Sequence, residues 1–162
     1  MLNIAQAVEA DIPLIQAAAA ESWRVTYATV FSSAFIEDFL SSAYGTTALR
    51  RSISSERSFF VVVKEHDHIV GFCQIGQGDS RYAGGFQLFR IYVIPSHWRR
   101  GVGQDLLARA EAWVLEQGGR GYCCYVHGLN EVGKGFYLKN GFLHVPEQDI
   151  EGEWYLWKDL AK

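Results

Sequence analysis

The residues best placed to do chemistry lie between Arg99 and Gln104, in Arg99-Arg100-Gly101-Val102-Gly103-Gln104. Two glycines leave the backbone amides of this run uncovered, so it can curl into a nest of N–H groups at a helix start. Such a nest attracts phosphate through partial charge and free donors. Arg99 and Arg100 add full charge, and each charge-assisted hydrogen bond is worth roughly 1.5–3 kcal/mol. The run therefore reads as a pyrophosphate cradle, against the plainer reading of a glycine-rich turn with solvated arginines. It is not a P-loop, because Gly103 is followed by Gln104-Asp105 where Lys-Ser/Thr is needed. Nor is it a dinucleotide fingerprint, because Leu106 stands where the third glycine belongs.

Asn130 and Tyr137 form a second pair. Asn130 has the chemistry of an N-cap, and Tyr137 follows two turns on, roughly 10 Å along nearly the same helix face. An extended ligand arm on that face could meet Asn130 near one end and the Tyr137 hydroxyl near the other. The plainer alternative is that Asn130 only caps and Tyr137 only packs. Cys123 and Cys124 are strand neighbours that point to opposite faces, and without a base partner they read as buried core thiols. His66 and His68 sit at a turn and read as a solvated loop, not a metal site.

The elements that must position these groups follow from periodicity. Gln87–Ile94 reads as an apolar strand stopped by Pro95, and Gln104–Gln117 as a helix with Leu106, Leu107, Ala110, Trp113 and Val114 on one face. Upstream, Leu2–Val8 predicts a strand, and a helix opens at Glu9-Ala10-Asp11 with Pro13 in its first turn. Ser33–Leu40 and Thr46–Ile53 predict two short helices. Phe59–Lys64 and Ile69–Ile75 predict a hairpin apolar on both faces, as buried central strands are. Gly76–Gly85 reads as a flexible connector. Tyr122–Val126 predicts a strand, Glu131–Asn140 a helix, and Phe142–Val145 with Trp154–Leu160 two closing strands around an acidic loop (Glu147, Asp149, Glu151, Glu153). No internal repeat or linker interrupts 1–162, so one domain is expected.

The chain has 162 residues, 49% hydrophobic and 20% charged, with a net charge of −3. That describes a globular chain with a sizeable core. No basic run points to nucleic acid, and no apolar run has the length of a membrane span. Met1–Ala10 has no signal-peptide pattern, and three cysteines make no disulfide framework. A cytoplasmic protein is expected, and its sheet edges and aromatic surface are compatible with a homodimer.

Pro95–Leu107 (P-x-x-x-R-R-G-x-G-x-x-L-L after a strand) and Asn130–Phe142 (N-x-x-small-x-x-F-Y-x-x-x-G-F), in this order and spacing, resemble the GNAT-type N-acetyltransferase superfamily over nearly the whole chain. The resemblance implies a mixed α+β fold whose central, mostly antiparallel sheet, flanked by helices, splays after its fourth strand to admit acetyl-CoA. It implies that the backbone of Ile91, Tyr92 and Val93 pairs with the pantetheine arm. Arg99, Arg100, Gly101, Val102, Gly103 and Gln104 would hold the pyrophosphate, Asn130 would touch the arm, and Tyr137 would be the general acid at the sulfur. Trp98 departs from the family's usual Gln or Arg. Tyr125 stands where some relatives carry a glutamate base.

Acetyl transfer to an amine needs the neutral amine. At pH 7 a lysine-like amine (pKa ~10.4) is neutral in about one molecule in 2,500, a deficit of roughly 4.6 kcal/mol. A base or water chain must therefore remove a proton. The candidates are Glu21, Tyr27 and Glu37, with Asp38 and His127 behind them. Trp23, Tyr27 and Arg90 are candidate acceptor contacts. The Glu21–Tyr27 segment resembles a W-R-x-T-Y segment found in relatives similar to polyamine acetyltransferases. With the acidic loop it favours a small cationic amine attacking acetyl-CoA directly. Arg90 keeps open an acceptor carboxylate, and so an amino acid or a peptide; a protein N-terminus or lysine is a separate alternative. From a different class, the chain could be a non-catalytic acyl-CoA-binding sensor.

Overall fold

The doubly apolar hairpin is explained by two cores. Strand β2 (Ser58–Glu65) sends Val61 and Val63 into one core and Phe60 and Val62 into the other. Neither face meets water, so the polar alternation of a half-exposed strand is missing. Burial of each such side chain stabilises by about 1.5–3 kcal/mol. The computed structural model describes residues 1–79 and 85–160, with Asp79 described by its backbone alone.

The other elements are β1 (Leu2–Gln6), α1 (Ile12–Thr26), α2 (Ser33–Ala43), α3 (Thr46–Ser54), β3 (His68–Asp79), β4 (Gly85–Val93), α4 (Val102–Glu116), β5 (Gly121–His127), α5 (Glu131–Lys139), β6 (Leu143–His144) and β7 (Glu153–Asp159). The strands form one sheet in the order β1-β2-β3-β4-β5-β7-β6. Every pairing is antiparallel except β4 with β5. α1, α2 and α3 supply the core on one face; α4, together with Tyr137 of α5, supplies the other. This is the mixed α+β arrangement the resemblance implies. The connector predicted over Gly76–Gly85 is shorter than expected: β3 continues to Asp79 and β4 begins at Gly85. Residues 80–84 lie outside the described residues.

The parallel contact between β4 and β5 lasts for two pairs only, Gln87↔Cys123 and Leu88↔Cys124. Beyond Leu88 the two strands part. The register against β3 moves from Gln74↔Arg90 to Ile75↔Leu88, which leaves Phe89 as an extra residue on β4. Such a bulge bends its strand and sharpens the local twist. β5 instead stays with β7 over seven pairs, from Gly121↔Asp159 to His127↔Glu153. The sheet therefore opens at Phe89–Val93, the splay expected after the fourth strand. Among the described residues no helix is long and apolar enough to cross a membrane.

Candidate active site

The open edge of β4 offers a defined set of backbone groups. The Ile94 N–H donates to the Val70 carbonyl at 2.9 Å. By antiparallel alternation, Tyr92 also bonds toward β3, while Ile91 and Val93 turn theirs to the side that β5 has left. Of the three residues expected to offer backbone groups, Tyr92 is therefore corrected. Its backbone belongs to the β3 ladder, and its side chain packs on the α1 face. The Val93 carbonyl is taken by the Trp98 indole, whose Nε1–H donates to it at 2.7 Å. The Ile91 N–H and carbonyl and the Val93 N–H remain on the open edge.

Trp98 leads into the bend read from the sequence as a cradle. Arg99 has φ 60° and Gly101 φ 82°, and α4 begins at Val102. The two left-handed positions curl the chain, and one of them is an arginine. A non-glycine residue at positive φ is uncommon and concentrates at functional sites. The first N–H groups of α4 have no intrahelical acceptor, and the helix dipole adds partial positive charge there. The Arg99 and Arg100 side chains are exposed beside them. His97, buried just before this bend, donates from Nε2 to Glu65 Oε2 at 2.7 Å and ties it to the end of β2. That hydrogen bond is the main reason the Glu65 carboxyl titrates below its ordinary value. Gly103 also has a packing purpose, besides lining the cleft. It lies inside α4, and a Cβ there would meet Phe136 Cε1 at 2.6 Å. Its missing side chain lets α5 approach α4.

Between the open edge, β5 and α5 lies a cleft of about 140 Å³, lined among others by Ile91, Tyr92, Val93, Gly103, Asn130 and Tyr137. Tyr137 is 8% exposed and sits mostly in the core, edge-on to Phe136 and Phe142 with centroids 5.5 and 5.1 Å away. Burial, first among the causes, pushes its phenol well above the ordinary tyrosine range, so the hydroxyl keeps its proton. Asn130 both caps and bridges. Its Oδ1 accepts from the Gly133 N–H at 2.8 Å, and its Nδ2 donates to the Tyr27 hydroxyl at 3.3 Å. The Tyr27 and Tyr92 hydroxyls are themselves 3.3 Å apart. Burial raises the Tyr27 phenol too, opposed by its bonds to Tyr92 and Asn130 and assisted by the charge of Glu153.

Tyr27, Phe89, Arg90, Tyr92 and Tyr125 also line a second cavity of about 650 Å³ on the α1–α2 side. Its wall is aromatic. Trp23 stacks on Phe39 with centroids 4.1 Å apart, and Phe31 meets Phe35 at 4.4 Å. His127 and Glu153 complete it. Phe35 and Phe39 fall one turn apart on α2, and Phe31 stands just before the Ser32 N-cap that opens it. Glu153 was visible only as one acid among four.

The candidate bases separate clearly. Glu21 is exposed on α1 and lines neither cavity, so the direct role expected for it has no geometry behind it. Glu37 is paired at the surface with Arg24, through Nη2–Oε1 at 2.6 Å and Nε–Oε2 at 3.1 Å. Asp38 is exposed and outside both cavities. His127 Nδ1 accepts from the Leu129 N–H at 3.1 Å. That bond occupies Nδ1 and puts the neutral ring's N–H on Nε2. The three cysteines are buried and reduced. Burial pushes Cys73 up to about 12 and Cys124 well above the ordinary thiol value, as inert core residues require.

Among solved structures, this architecture is that of acetyltransferases. The PaiA N-acetyltransferase of Thermoplasma acidophilum in complex with coenzyme A superposes with a TM-score of 0.89 at 27% identity, over 98% of this chain and 99% of that one. A GNAT-family acetyltransferase of Staphylococcus aureus shares the fold at a TM-score of 0.79 and 14% identity, over 99% and 100%. The acetyltransferase (GNAT) family model matches residues 19–142, and the chain belongs to that family. The spermidine N(1)-acetyltransferase of Thermoplasma acidophilum is 30% identical over 136 residues, 82% of each chain.

Proposed function

We propose that this chain transfers an acetyl group from acetyl-CoA to a primary amine by direct attack in a ternary complex, and that the acceptor is a small cationic amine such as a polyamine. The observation that carries the reading is the meeting of cleft and basin at Tyr27 and Tyr92, with Tyr137 on the cleft side. The donor set suits the co-substrate. Helix-start amides with Arg99 and Arg100 match a diphosphate, and the open Ile91 and Val93 groups match the amides of a pantetheine arm. When bound, acetyl-CoA supplies the activated acyl group and a thiol leaving group. The neutral amine would form the N–C bond as the C–S bond breaks and release its proton to solvent. The Tyr137 hydroxyl would donate a proton to the departing sulfur, and Asn130 holds Tyr27 in place beside Tyr92. The aromatic basin favours a cation through ring faces, and the spermidine acetyltransferase among its relatives points the same way.

The reading is tested by thiol release from acetyl-CoA against a panel of spermidine, putrescine, amino acids and short peptides. Release with the polyamines is expected. Tight coenzyme A binding without release on any amine would leave a sensor.

Trp98 gives a separable prediction for the donor side. Trp98→Phe keeps a ring in the cleft wall but removes the 2.7 Å bond to the Val93 carbonyl. A net hydrogen bond contributes about 0.5–1.5 kcal/mol. The KM for acetyl-CoA is therefore expected to rise about 3–10-fold with kcat unchanged, as steady-state kinetics would show. An unaltered KM would remove Trp98 from the ordering of this edge.

A further inference from the structure

Four acids lie between Glu147 and Glu153, and only the last lines the basin. Asp149 is already engaged, by His144 Nε2 at 2.9 Å and by the Tyr155 N–H at 2.7 Å. Glu147 and Glu151 are exposed. Glu153, at the start of β7 and in register with His127, makes no ion pair among the described residues. Glu153 is the one carboxylate in the lining of a cavity whose wall includes Trp23, Phe31, Phe35 and Phe39. One carboxylate among ring faces is the chemistry of an organic ammonium receptor.

Arg90 adds a positive charge to the same basin. Its nitrogens are all engaged: Nε donates to Gln74 Oε1 at 2.9 Å, Nη1 to the Ala43 carbonyl at 3.2 Å and Nη2 to Ser52 Oγ at 3.1 Å. Its guanidinium carbon lies 4.8 Å from the Tyr44 ring centroid and 5.6 Å from that of Phe60. Three of its five N–H donors are thus already spent within the fold. Ala43 is the last residue of α2, whose dipole places negative partial charge beside the guanidinium. Arg90 clamps β4 to α2 and α3.

Glu153 and His127 line the basin but not the cleft, whereas Tyr27 and Tyr92 line both. A cation held at Glu153 is thus not the nitrogen that meets the acyl group. We propose that Glu153 sets acceptor specificity: its carboxylate receives the second, non-reacting ammonium of a linear diamine or polyamine whose first amine lies at the Tyr27–Tyr92 junction. This rests on the acetyl-transfer reading above.

Three matched acceptors test it. Cadaverine, n-pentylamine and lysine share one reacting primary amine; they differ in a second ammonium and then in an added carboxylate. The unaltered protein is expected to favour cadaverine over n-pentylamine about 10–100-fold in kcat/KM, the range for a charge-assisted bond. Glu153→Gln should remove that preference while leaving n-pentylamine and the KM for acetyl-CoA within about twofold. An equal loss on both amines, no loss, or a preference for lysine over cadaverine would overturn the assignment. If no amine releases thiol, the transfer reading fails, and calorimetric titration of cadaverine and n-pentylamine into the coenzyme A complex still decides on Glu153. A loss of affinity confined to cadaverine in Glu153→Gln supports it; any other pattern overturns it.

Discussion

Tyr137→Phe is expected to lower kcat by 10²–10⁴-fold, the contribution typical of a positioned general acid, and to leave acetyl-CoA affinity within about threefold. The substitution removes one oxygen from a ring that is otherwise core. Its contacts with Phe136 and Phe142 are retained, so the fold should be unaffected. Burial raises the Tyr137 phenol, which extends the range of its protonated form upward in pH. An acid must hold its proton until the sulfur departs, so the shift has the sign the role needs. The rate in the unaltered protein should climb with pH as the acceptor amine loses its proton, with no descending limb from Tyr137 below about pH 10. Single-turnover kinetics, with acetyl-CoA binding measured separately, checks both halves. An unchanged chemical step would remove Tyr137 from the reaction, leaving it a core residue at the edge of a cleft.

The elements and the bend before α4 could be read from the chain because they follow from local rules. Pro95 stops β4, the Arg99–Gly103 run starts α4, and Asn130 caps α5, each within a few residues of the atoms it governs. What escaped such a reading depends on partners distant in sequence. Glu153 enters the aromatic basin only because β7 inserts between β5 and β6 and brings it opposite His127. Glu21 looked equally suitable as an acid beside aromatics. However, the helical period turns it outward while its neighbours Ser22 and Trp23 are buried. The bulge at Phe89 is likewise a property of two strands in register, with no mark in β4 itself. Arg90 reads from the chain as a candidate acceptor contact, whereas its part as a clamp depends on the Ala43 carbonyl and the Ser52 hydroxyl, both distant in sequence.

Gly103→Ala sets two magnitudes against each other. Alanine is favoured over glycine within a helix by up to about 1 kcal/mol, so α4 alone would gain. The added Cβ, however, would stand 2.6 Å from Phe136 Cε1 and 2.9 Å from Cζ. Overpacking of this kind costs about 1–3 kcal/mol. The contact is expected to win, and urea denaturation should show a net loss of stability. The larger effect falls on the site, because Phe136 precedes Tyr137 on α5, the helix that Asn130 caps. Relief of the clash by outward movement of α5 shifts the phenol from the cleft and disturbs the Asn130–Tyr27 bond. A displacement of about 1 Å can cost on the order of 10²-fold in rate, so kcat/KM is expected to fall at least tenfold. Phe136→Leu in the same chain removes the obstructing ring edge. If the two positions act through this contact, the double variant should recover part of both losses, with a coupling of about 0.5–3 kcal/mol. Strict additivity would mean that Gly103 matters for another reason, such as ligand approach to the backbone at the start of α4.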